Sequence, residues 1–126
     1  VPTIVLLIKK VLGEDYDPLF VQEMIGRWPE GVLVAREGFR ICAVLGGVVF
    51  NPNTARILFL GVEKEHRSQA IGSRLLKLFQ KNCLIRGLSV IQLEVRVTNY
   101  RARNFYRRHV IKQKVLCLLF WVMLLH

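Results

Sequence analysis

The chain is short of acid. Nine Asp and Glu stand against 19 Lys and Arg, a formal charge of +10 over 126 residues. It is also short of cysteine. Cys42, Cys83 and Cys117 are odd in number, far apart and without metal-ligand spacing. That excludes a disulfide scaffold and a cysteine-based zinc module as organising features. Each sits in an apolar run, so buried free thiols in a reducing compartment are expected. Long apolar runs are missing too. The longest, "VLCLLFWVMLL", covers the 11 residues Val115–Leu125, against roughly 20 needed to cross a bilayer. There is no signal-peptide pattern, internal repeat or low-complexity linker. The chain begins with Val1 rather than Met, as expected of a processed or trimmed start. A cytoplasmic protein without a membrane span is the expectation.

What is present suits a globular domain. At 52% hydrophobic the chain can bury a core, and its length fits one domain over 1–126. The basic excess suits an anionic partner: nucleic acid, an acidic membrane surface or a polyphosphate ligand. No nucleic-acid motif and no basic–aromatic interleaving on a strand face accompanies it, so nucleic acid is not the expected partner.

"TIVLLIK" (Thr3–Lys9) reads as a first strand. "GEDYDPLFVQEMIGRW" reads as a helix with acidic residues at its start, where the helix dipole favours them. Leu19, Phe20, Glu23, Met24 and Trp28 fall at helical spacing. "GVLVARE" and "RICAVLGGVVF" flank a hairpin turn, "EGF". Gly46 and Gly47, inside the second of these strands, suggest a bulge or close backbone approach. After the turn "NPNT" comes the strand "ARILFLGV". A helix is expected over Ile71–Arg86, with Ile71, Leu75, Leu78, Phe79 and Cys83 as its apolar stripe and Gly87 as its stop. "SVIQLEVRV" alternates strictly, with Gln92, Glu94 and Arg96 on its polar face. "TNYRARNFYRRH" reads as a short helix capped by Thr98 or Asn99. The order is β, α, β, β, β, α, β, α and an apolar tail. It predicts an α/β chain with a mixed sheet, one β-α-β crossover and helices on the faces.

The stretch "LGVEKEHRSQAIGSRLL" joins a strand to a helix through small residues. A helix start offers free backbone N–H groups and partial positive charge, and so can hold a phosphate. Ser68, Ala70, Gly72 and Ser73 would let an anion approach, with Arg67 at the rim. Taken alone, a small-residue turn before a helix is more often simple packing. It is neither a Walker loop, lacking Gly-Lys-Ser/Thr, nor a dinucleotide fingerprint.

Together with "LEVRVTNYRARNFYRRH", this stretch resembles the GNAT superfamily of acetyl-CoA-dependent N-acetyltransferases. The family's Arg/Gln-x-x-Gly-x-Gly/Ala motif reads here Arg67-Ser68-Gln69-Ala70-Ile71-Gly72. The second block is similar to the RimI/Ard1-like protein N-terminal acetyltransferases. The resemblance covers about Gly31 to His109. It implies a mostly antiparallel GNAT-like sheet, acetyl-CoA as co-substrate, no metal, and an amine acceptor. A protein or peptide N-terminus, ribosomal proteins included, leads; a small amine or a lysine is the alternative. It further implies that backbone groups of Leu60, Gly61 and Val62 pair with the pantetheine arm. The amides of Arg67, Ser68, Gln69, Ala70, Ile71 and Gly72, followed by Ser73, would hold the pyrophosphate. Asn99 would lie near the pantetheine, Tyr106 would protonate the departing thiolate, and Glu94 would act as general base. His66 and His109 flank the motif helices and read as surface residues.

The chain departs from the family in four places. Ala70 replaces a glycine, at a cost if its φ is positive. Ala43 replaces another. The region before Trp28 has room for one helix where the family has two. From about Val110 the tail lacks the usual Gly-Phe. Val110–Leu116 and Leu118–Leu125 are read either as two further strands or as an altered tail, whose apolar surface would favour a homodimer. Because these segments bear on the acceptor, a CoA-binding module with little catalysis is the competing reading.

Overall fold

The computed structural model describes residues 2–96, 98–109, 112–115 and 118–124; at 68, 69, 96, 112–115 and 118–124 it describes the backbone alone. Helices α1 (Pro2–Leu12) and α2 (Pro18–Arg27) come first. They are followed by a 3₁₀ turn and strands β1 (Val32–Glu37), β2 (Arg40–Asn51) and β3 (Thr54–Val62). A second 3₁₀ segment, Lys64–Gln69, leads into α3 (Ile71–Arg86), β4 (Val90–Arg96), α4 (Tyr100–Arg107), β5 (Lys112–Val115) and β6 (Leu118–Leu124).

The six strands lie in the order β1-β2-β3-β4-β6-β5. Among the described residues only β3 and β4 run parallel, as a crossover through α3 requires. The mixed sheet with one crossover is therefore as the sequence predicts. The helix over 71–86 and its Gly87 stop, at φ 87°, also match.

The N-terminal expectation is wrong. Thr3–Lys9 is not a strand but the middle of α1. Ile4, Leu7 and Ile8 are buried while Leu6 is 70% exposed. That is a helical period hidden in a run whose β-branched residues suggested a strand. Lys9 and Lys10 fall in its last turn, where the dipole favours cations. The region before Trp28 thus holds two helices, not one. The second begins at Pro18, with Asp17 capping it by accepting from the Leu19 amide at 2.9 Å. Glu14 and Asp15 precede that helix instead of filling its first turn. Leu19 and Phe20 face solvent, and Val21 and Met24 take the buried side.

The tail forms two strands. β6 pairs along β4 from Arg96↔Leu118 to Val90↔Leu124, and β5 pairs with β6. The tail residues Val110, Ile111, Leu116, Cys117 and Leu125 lie outside the described residues.

The sheet separates two cores. On one side α3 buries Leu75, Leu76, Phe79 and Cys83 against Ile57, Ile91, Leu93 and Val95. Full burial of a side chain such as Phe79 or Leu76 is worth about 1.5–3 kcal/mol. On the other side α1 and α2 cover Val44 and Phe59. Gly46 and Gly47 admit aromatic rings: a Cβ would come 2.1 Å from Phe59 at the first and 2.5 Å from Phe79 at the second. The β2–β3 register shifts between them, so bulge and close approach coincide.

Candidate active site

A parallel pair must stay in register to stay closed. β3 and β4 pair only from Thr54↔Val90 to Ile57↔Leu93. Beyond that, β3 continues to Val62 along β2, and β4 continues to Arg96 along β6. The sheet parts between them. Among the described residues no strand fills the β4 side of Leu58–Val62.

A cleft of about 1060 Å³ opens at this gap. Leu60, Gly61, Val62, Arg67, Ala70, Gly72, Ser73, Asn99 and Tyr106 all line it. Most of the residues predicted for the donor site are thus brought together. Ile71 is not: its side chain lines a neighbouring groove with Glu37, His66 and Arg74. The side chains of Ser68 and Gln69 lie outside the described residues. Glu94 is exposed and does not line the cleft. Its neighbours Leu93 and Val95 are buried on the α3 side. By strand alternation Glu94 projects from the opposite face, the one that carries α1 and α2.

The cleft's walls depend on small residues. At Gly61 a Cβ would stand 2.4 Å from a Val11 methyl, so β3 lies directly against α1. At Gly72 it would stand 3.3 Å from the Phe105 ring, where α3 meets α4. Ala70 has φ 58°, and is the sole non-glycine with positive φ among the described residues. The condition under which this substitution is costly therefore holds. α3 opens at Ala70 with no side chain capping it. Its first-turn N–H groups are left to a ligand, at the positive end of a 16-residue helix. Arg67 adds charge, and its Nε donates to the Val62 carbonyl at 3.0 Å. These features fit a pyrophosphate.

On the far wall Asn99 caps α4, its Oδ1 accepting from the Ala102 amide at 3.2 Å. Tyr106 is buried, edge-on to Phe105 at 5.2 Å. Burial pushes its phenol above the ordinary tyrosine range, so it holds its proton at neutral pH. Burial likewise pushes the Cys83 thiol to about 12 and raises that of Cys42. Neither is a ready nucleophile.

Sequence reasoning missed several residues. Val11 and Leu12 line the cleft, hidden by the mistaken first strand. So does His109, read as a surface residue. Its Nδ1 donates to the Phe105 carbonyl at 2.8 Å. Glu63 was not singled out, yet its side chain is 3% exposed and its carboxylate accepts from Lys10 and Arg40 at 2.7 Å each. Those bonds hold its pKa down to about 2. His66, also read as surface, is 13% exposed and meets Glu37 at 2.5 Å. Together these groups fasten the segment before the turn into α3 to α1, β1 and β2. No local pattern signals this, because the partners lie 53 and 23 residues from Glu63.

Comparison with known proteins gives concordant results. The profile of the acetyltransferase (GNAT) family matches residues 4–110. N-alpha-acetyltransferase 30 of Schizosaccharomyces pombe is 31% identical over 109 residues, covering 81% of this chain and 71% of its own. The crystal structure of Ard1 from Thermoplasma volcanium superposes with a TM-score of 0.87 at 20% identity. It covers 100% of this chain and 94% of that one. Arabidopsis thaliana Naa50, solved in complex with a bisubstrate analogue, CoA-Ac-MVNAL, gives 0.79 at 18% identity, covering 94% and 87%.

Proposed function

The chain belongs to the acetyltransferase (GNAT) family, and on that premise we propose that it acetylates the N-terminal α-amine of a protein or peptide. Acetyl-CoA is the acetyl donor. The observation that carries the reading is the parting of β3 from β4, with Tyr106 reaching the gap from one face of the sheet and Glu94 standing on the other.

The roles follow from what the reaction needs. The coenzyme would lie in the cleft, with its pyrophosphate on the amides at 67–72 and its pantetheine arm along Leu60–Val62. An ammonium cannot attack a thioester, so the acceptor must lose a proton. Glu94, on the side of α1 and α2, takes it directly or through water. As the new C–N bond forms, charge grows on the carbonyl oxygen, and unpaired β3 amides are placed to stabilise it. The C–S bond then breaks; the Tyr106 phenol, protonated by virtue of its burial, gives its proton to the sulfur, and the second proton, still on the acylated nitrogen, leaves through water to restore the phenol, so that the amide and the thiol are both neutral. Asn99 holds α4, and thereby Tyr106, against the cleft.

An α-amine acceptor is supported by the N-alpha-acetyltransferase likeness and by the peptide portion of the Naa50 analogue. A ribosomal protein fits the same class, as does a cytoplasmic setting. Two helices before Trp28, in place of one, supply the wall whose lack favoured a CoA-binding module. The homodimer is not carried further, since the tail that prompted it is paired along β4 within the chain. One domain, with the tail completing its sheet, is the simplest organisation.

The test is thiol release from acetyl-CoA with a panel of acceptors. Peptides with free N-termini should turn over. The same peptides with blocked N-termini and a free lysine, and small polyamines, should not. Turnover of lysine or polyamine alone would move the activity to that acceptor, and tight acetyl-CoA binding without turnover would favour the module.

A further inference from the structure

Charge is divided sharply along this chain. Residues 1–65 hold eight of the nine acids and seven cations; residues 66–126 hold twelve cations and one acid, Glu94. The first part has a net charge of −1 and the second +11. The fold turns this into a difference between surfaces. α3 and α4 pack on the same side of the sheet, and neither contains an acidic residue. α1 and α2 cover the other side.

The coenzyme does not account for the excess. Its three phosphate groups carry about four negative charges. Arg67, Arg101 and Arg108 line the cleft to meet them. Arg74, Lys77 and Lys81 of α3 do not line that cleft. They are exposed, and among the described residues none has an ion-pair partner. Their spacing of three and four places them in one stripe, about 10 Å long at the helical rise. Such a stripe, with no acid on its helix to cancel it, is built for a repeating anion.

The chain carries no base-reading motif, which is why nucleic acid is not expected from its sequence; a phosphate backbone needs none, and we propose that the α3 face docks RNA by that backbone alone, along Arg74, Lys77 and Lys81, while the α1–α2 face stays free for the acceptor chain. One observation favours RNA over an anionic lipid surface. A membrane-surface helix needs a continuous apolar face for the lipid, and the face of α3 that carries Leu75, Leu76, Phe79 and Cys83 is spent on the core. Exposed Leu78, Leu84 and Ile85 are the feature a lipid surface would use, so vesicles belong in the test.

The experiment uses the full chain saturated with CoA, so that the coenzyme cleft cannot be what RNA occupies. Binding of a labelled RNA hairpin is read by fluorescence anisotropy at about 50 and 200 mM salt. The K77E/K81E variant should bind at least tenfold more weakly, with a salt slope shallower by about 1.5. Its turnover of free peptide should be unchanged, and this binding arm needs no activity at all. R27E, on the opposite face, should bind RNA as the wild type does. Absence of RNA binding at low salt overturns the proposal, as does equal binding by wild type and K77E/K81E. An equal loss in R27E would reduce the effect to net charge and overturn it too. Binding to phosphatidylserine vesicles in preference to RNA would assign the face to lipid.

Discussion

The two faces of the sheet are built to different depths. The α3 face has a 16-residue helix, a continuous core from Trp28 to Tyr106, and, through α3, α4 and their caps, the greater part of the cleft's lining, to which α1 adds Val11 and Leu12. The opposite face has helices of 11 and 10 residues. It relies on ion pairs such as Lys10–Glu63 to fasten α1. Under the proposed reaction, a coenzyme that never changes would use the deep face, and an acceptor that varies would use the shallow one. Depth then tracks how fixed the ligand is. The division can be broken by experiment.

The largest effects should come from the residues placed on either side of the gap. Glu94→Gln is expected to lower kcat by about 10²-fold or more, with acetyl-CoA affinity intact. The loss should shrink as pH rises, because more of the amine is already neutral. Tyr106→Phe should also lower kcat and spare acetyl-CoA affinity, but its loss should not shrink in step with amine ionisation. Identical pH dependence in the two variants would mean that the faces do not divide the proton transfers. Wild-type kcat in either variant would remove that residue from the chemistry.

Next in size is Gly72→Val. The added Cβ meets Phe105, and the γ-methyls have the cleft beside them. Acetyl-CoA affinity should fall at least tenfold, measured by calorimetry. Unchanged affinity would move the phosphate site away from the start of α3.

How legible this was depended on how local each signal is. The helix over 71–86 announces itself by a stripe of apolar residues, a run free of proline and Gly87 as its stop. Its partners are irrelevant to recognising it. α1 carries a helical stripe as well, but Ile4, Val5, Leu6, Leu7 and Ile8 run together. In a continuous apolar run, period cannot choose between helix and strand. The cleft that gathers Arg67, Ala70, Gly72 and Ser73 was legible through its turn, since small residues before a helix are a local pattern. The side of the sheet on which Glu94 stands was legible only as alternation. Which face that meant depended on where α1 and α3 pack. The Glu63 cluster was not legible at all, because Lys10, Arg40 and Glu63 meet only once two strands and a helix are assembled.

That cluster gives a smaller and more specific effect, on stability. Glu63 has its pKa lowered from the ordinary carboxylate value to about 2 by the Lys10 and Arg40 hydrogen bonds. A depressed carboxylate stabilises the fold fully above its unfolded pKa and loses that contribution as pH falls towards its folded one. The thermal midpoint should therefore drop between about pH 5 and pH 2. Glu63→Gln should be less stable at neutral pH and should show a flatter acid limb. An acid limb as steep in the variant as in the wild type would place the responsible carboxylate elsewhere.

The smallest effect expected is a gain, and it tests whether the deep face carries a strain that the coenzyme uses. Ala70 sits at φ 58°, ψ 23°, where an L-residue pays for its Cβ and glycine does not. The conformation is imposed by the turn from the 3₁₀ segment into α3, and the resembled family motif has glycine there. Ala70→Gly removes the strain in the folded state but loosens the unfolded chain, so the two terms oppose. At this φ the strain term is the larger, and a net gain of about 1 kcal/mol is expected. For a chain of this length that is a rise of about 4 °C in Tm. Because φ, ψ at 70 would be unchanged, the first-turn amides should keep their positions. Acetyl-CoA affinity should then stay within about twofold, a difference below 1 kcal/mol. A gain in Tm with a clear loss of affinity would mean that Ala70 fixes the amides through its side chain. No gain at all would mean that the turn relaxes out of the left-handed region when the coenzyme is absent.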